Sequence, residues 1–165
     1  MKRVTGYIKK QRILVLFFLG SFSAVVLAID IQGIAGYRLG EILDKTLVLT
    51  EAKEDGGAVV YRVKMLASEP LVELLTVRIT TQQQIHRISA YSPVLTEKDC
   101  QTRMTELRIQ TEKQFPKLGY YAMADGELFY QDDRTYTLDC VRLDGEIRLR
   151  QEYSDDKLAA QSKKG

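Results

Sequence analysis

An α+β domain is expected: an antiparallel β-sheet of hairpins packed against one long amphipathic helix at about 97–114, with one short N-terminal helix. Three observations predict it. Segments of alternating apolar and polar residues recur between positions 58 and 153, as half-buried strands require. Asp125-Gly126 and Asp144-Gly145 stand between such segments as two-residue turn signals. From Thr96 to Phe115 the alternation gives way to a spacing of three and four, the period of a helix.

Each element has its own warrant. Residues 29–45 carry Gly33, Gly36 and Gly40, read as a glycine-rich entry followed by a short helix near 40–45. Glu51–Gly57 is a polar turn. Ala58–Leu66 is a strand, with Val59, Tyr61, Val63 and Met65 on one face and Arg62 and Lys64 on the other. Leu71–Thr80 is a second strand after a turn at Ser68-Glu69-Pro70, and Gln84–Tyr91 is a third, ended by Ser92-Pro93. Thr96 is a good N-cap, and Thr96-Glu97-Lys98-Asp99 is a capping-box pattern. Cys100, Met104, Leu107, Thr111 and Phe115 form the apolar stripe of the long helix, which Pro116 stops. Centring the last hairpin on Asp144-Gly145 sets Cys140 opposite Leu149, Tyr136 opposite Tyr153 and Asp139 opposite Arg150. Centring the hairpin before it on Asp125-Gly126 sets Met123 opposite Leu128 and Tyr121 opposite Tyr130. A helix-then-strands order occurs twice along the chain, as a topology without a residue-level repeat.

The first thirty residues address the chain. Lys2, Arg3, Lys9, Lys10 and Arg12 precede an apolar run from Ile13 to Ala28, and Val26-Leu27-Ala28 offers a small-residue exit. These are the parts of a secretory signal peptide, cut after Ala28. The run falls short of the roughly 20 residues that span a bilayer; left uncleaved it would be a single-pass signal anchor. Both readings leave the basic cluster in the cytoplasm and the rest outside it, in the periplasm or extracellular space. No Cys follows the run to carry a lipid. The expected organisation is therefore residues 1–28 as signal peptide, 29–156 as one α+β domain and 157–165 as a flexible tail.

The 165 residues carry 24 basic and 22 acidic side chains. Five basic ones lie in the first twelve positions, so the remainder sets 19 against 22 acids, at net −3. That mixed, mildly acidic surface removes the electrostatic case for nucleic acid, which needs clustered Lys and Arg. The two cysteines, Cys100 and Cys140, both follow the export signal and read as one disulfide in an oxidising compartment.

The chemistry-bearing residues are few. His86 is the only histidine, placed on a strand beside Ile88 and Ala90; a Ser–His arrangement with Ser89 or Ser92 lacks a Gly-x-Ser-x-Gly turn. Zinc would need His86 with the same two thiols. Asp125, Glu127, Asp132 and Asp133 do not follow an EF-hand spacing. No glycine loop suited to phosphate appears, no cofactor is expected, and the absence of Asn excludes Asn-linked glycosylation. The nine tyrosines are the one enrichment. Aromatics on an outward sheet face are common protein-binding anchors, and Tyr120, Tyr121, Phe129 and Tyr130 are the candidates.

Gly36-Tyr37-Arg38-Leu39-Gly40-Glu41-Ile42-Leu43 resembles the start of small secreted helix-plus-sheet modules such as the outer-membrane-assembly lipoproteins. The likeness covers eight residues, lacks the lipid-bearing Cys, and carries over no site. The expected function is an exported, non-enzymatic module that binds another envelope or secreted protein, touching membrane only through residues 13–29 if these stay uncleaved. The alternatives are a small secreted hydrolase using carboxylates and a membrane-anchored structural subunit.

Overall fold

The computed structural model describes residues 31–53 and 59–162. The expected signal segment and the core of the Glu51–Gly57 turn lie outside them. Within them the chain is α+β but richer in strand than expected. The elements run β1 (Gly33–Ile34), β2 (Tyr37–Arg38), β3 (Val48–Lys53), β4 (Val59–Val63), β5 (Leu74–Ile79), β6 (Ile85–Tyr91), α1 (Glu97–Gln114), β7 (Gly119–Met123), β8 (Gly126–Gln131), β9 (Arg134–Leu143), β10 (Glu146–Asp155) and α2 (Asp156–Ser162).

β1 and β2 form a two-stranded ribbon, and the other eight strands make one antiparallel sheet in the order β3-β4-β5-β6-β10-β9-β8-β7. It consists of two four-stranded meanders joined where β6 pairs with β10. The chain leaves the first meander at its inner strand and enters the second at its outer one. α1 makes that crossing, so it lies over β9 and β10.

One face of the sheet is covered. Cys100 and Met104 of α1 meet Phe129, Tyr136, Leu138 and Leu149 in one core cluster. Ala35, Tyr37, Leu39 and Leu43 of the entry segment cover Val77, Ile85, Ile88 and Ala90 in another. Burying each large aliphatic or aromatic side chain contributes about 1.5–3 kcal/mol. α1 starts at Thr96 as its N-cap: Thr96 Oγ1 accepts from the Asp99 amide at 3.1 Å, and the same hydroxyl donates to the Asp99 carboxylate at 2.7 Å. Cys100 and Cys140 are joined by a disulfide across the α1–β9 contact.

Three local expectations are corrected. Residues 40–45 form no helix. Gly40 takes a left-handed φ of 88°, Ile42 bridges to Gln84, and a single 3-10 turn follows at Lys45–Leu47. Glu51–Lys53, read as part of a turn, close strand β3 instead. Residues 157–162, read as part of a flexible tail, belong to α2, and 163–165 lie outside the described residues; the Asp155 carboxylate accepts the Leu158 amide at 2.9 Å, as a cap does. Among the described residues no helix is long and apolar enough to cross a membrane.

Candidate functional site

The four aromatic candidates occupy one hairpin, β7–β8, but divide between its faces. Tyr120 pairs with Phe129, which pairs with Tyr136, which pairs with Tyr153. Residues paired in register share a face, so these four line the side that α1 covers. Their rings form a row with centroids 5.3, 5.9 and 4.6 Å apart. Phe129 is only 1% exposed; it belongs to the core and offers a partner nothing. Tyr120 sits at the open end of the row, where its hydroxyl donates to Glu127 and Arg108 lies 3.6 Å from the same carboxylate.

Tyr121 and Tyr130 lie on the opposite, uncovered face. Tyr121 pairs with Leu128, and Tyr130 with Gly119. They are 63% and 48% exposed. A Cβ on Gly119 would collide with the Tyr130 ring. The glycine thus lets that ring lie flat across the neighbouring strand, holding it at the rim of the sheet. β7 is the last strand of the sheet, with no strand on its far side among the described residues. Its sequence, Gly-Tyr-Tyr-Ala-Met, carries no charge and no proline, and its pairing with β8 is unbroken.

The opposite edge is built differently. β3 carries Glu51 and Lys53, and its pairing with β4 slips between Val48 and Thr50. Edge charges and irregular pairing are the usual devices that stop strands from adding to a sheet. β3 has both, and β7 has neither.

A second feature lies between the two covering elements. A cleft of about 800 Å³ runs between β1–β2 and the C-terminal half of α1, floored by Tyr136, Gln151 and Tyr153. The Tyr136 hydroxyl donates to Gln151 Oε1 at 2.9 Å. Burial raises the Tyr136 phenol well above its usual range and pushes Tyr153 up to about 12.

His86, Ser89 and Ser92 lie away from this hairpin, on β6 and just after it. Arg78 pairs with Arg87 and Ile79 with Ile85, so His86 is the extra residue of a bulge. Its Nδ1 is buried without a hydrogen bond among the described residues. Burial, then Arg87 and Arg78, lower its pKa and disfavour the cation. The Ser89 hydroxyl donates to Glu152; that of Ser92 donates to the Pro93 carbonyl and accepts the Leu149 amide. Among the described residues no three His, Cys, Asp or Glu side chains group as a metal site needs. Several acids of the sheet face guanidinium groups: Asp139 meets Arg150, Asp155 meets Arg134, and Glu152 meets Arg87 and Arg150.

The chain matches no protein-family model, no curated protein and no solved structure. The site therefore rests on its own geometry. The aromatic enrichment pointed to the β7–β8 hairpin, where all four candidates lie. What sequence reasoning missed was that β7 is an edge, because strand order follows from the α1 crossing and leaves no mark on the residues of β7 themselves.

Proposed function

We propose that the chain is an exported, non-enzymatic protein-binding module of the periplasm or extracellular space, and that it takes its partner along β7. The observation that carries this reading is the uncharged, regular β7 edge, without a neighbouring strand on its far side among the described residues and flanked by exposed Tyr121 and Tyr130. Such an edge supplies main-chain hydrogen bonds to an added strand, and aromatic side chains beside it supply specificity. Export is supported by the basic, apolar and small-residue order of residues 2–28 and by a disulfide that favours an oxidising compartment. The ion pairing of the acids named above fits binding better than carboxylate hydrolysis, which needs an acid free to move a proton.

The test is chemical cross-linking of the full-length chain in its own cells, with the cross-linked proteins identified by mass. The wild-type chain and His86→Ala should capture the same protein partner, and Tyr121→Ser should lose it. Capture unaffected by Tyr121→Ser, or no protein capture at all, contradicts the reading. Intact mass of the captured chain reports export: loss of residues 1–28 supports a released module, and a full-length membrane species supports the anchored one.

A further inference from the structure

We infer that the strand β7 accepts is β7 of a second copy, giving a two-fold dimer in which two eight-stranded sheets join edge to edge. This rests on the protein-binding reading and names its partner. An antiparallel pairing centred on Tyr121 sets each Tyr121 against its own copy. Tyr120 then faces Ala122 of the second copy, and Gly119 faces Met123. Two positions beyond the ends of β7, in the turns that flank it, stand Lys117 and Asp125; the two-fold places the Lys117 end of each copy beside the Asp125 end of the other. Both residues are exposed. No like charges meet along the line.

The side chains fit this arrangement as well. Gly119, Tyr121 and Met123 alternate onto the uncovered face. Met123 of the second copy would come beside the Tyr130 ring where that ring crosses Gly119, a thioether-on-aromatic contact. The two central tyrosines would meet at the axis. A five-residue pairing is a small interface, so the dimer should be reversible and concentration-dependent rather than obligate. The charged pairs, being exposed, set the register more than the affinity.

Cross-linking of the full-length chain in mild detergent tests this directly, because Cys100 and Cys140 are already bonded to each other. Under a mild oxidant, Tyr121→Cys should form a disulfide dimer, since facing residues of an antiparallel pair lie about 4.5–5.5 Å apart at Cα. Tyr120→Cys should cross-link poorly, and Tyr120→Cys with Ala122→Cys should recover the dimer. In the Tyr121→Cys chain, Lys117→Glu or Asp125→Lys alone should slow dimer formation by about fivefold, and the two together should restore it. Equal cross-linking at 120 and 121, or a charge-swapped pair no better than its single variants, overturns the two-fold pairing. If Tyr121→Cys never dimerises but Tyr121 still governs capture of a different protein in cells, self-pairing fails and the protein-binding reading stands.

Discussion

Gly126 packs so closely beneath Leu138 that a Cβ on it would collide with the Leu138 carbonyl oxygen and press on Asp139. The glycine is a contact between strands β8 and β9, and the turn before it is Ala124-Asp125. Gly126→Ala should therefore cost about 1–3 kcal/mol, read by chemical denaturation. An unchanged midpoint would mean that β8 and β9 are not so closely pressed.

That glycine also explains one misreading. Asp125-Gly126 resembles a hairpin turn, and centring on it pairs Met123 with Leu128; the observed partners are Met123 with Gly126 and Tyr121 with Leu128. At Asp144-Gly145 both residues do take left-handed φ values of 53° and 84°, and there the expected partners of Cys140, Tyr136 and Asp139 are the observed ones. α1 was legible because its cap, stripe and stop are local signals. β3 was not, because an exposed edge strand carrying Glu51 and Lys53 shows no clear alternation. α2 was hidden because its start depends on the Asp155 carboxylate. The tyrosines were visible as a cluster, but their division between core and rim depends on which face α1 covers.

The Cys100–Cys140 bond closes a loop of 40 residues. A constraint of that length on the unfolded chain is worth about 3–4 kcal/mol. Denaturation in the presence of a reductant should show a loss of that size. Equal stability with and without reductant would mean that the bond does not form.

Tyr153 gives the protein an alkaline limit. Its burial raises the folded pKa to about 12 from the ordinary 10. Below pH 10 both folded and unfolded phenols keep their protons, and the stability is intact. Between 10 and 12 the unfolded chain loses its proton first, so stability falls as pH rises through that window. Tyr153→Phe should flatten the fall; Tyr136, raised in the same direction by burial, accounts for the slope that remains. A Tyr153→Phe chain with an unaltered alkaline slope would contradict this.

Arg150 and Asp139 meet across β9 and β10 in a two-bonded pair. Asp139→Ala leaves a half-buried guanidinium without its main acceptor and should cost about 1–3 kcal/mol. A double-mutant cycle with Arg150→Ala should return a favourable coupling of about 1 kcal/mol. Additive effects would show that the two residues act independently.

The central claim is that β7, and not β3, is the edge that contacts protein. It is tested most directly by a photo-cross-linking amino acid placed in the full-length chain at Tyr121 or, on the opposite edge, at exposed Thr50. Irradiation in cells should yield protein adducts at position 121, to a second copy or to another protein, and few at position 50. Adducts equally abundant at both positions, or absent at 121, would contradict the account.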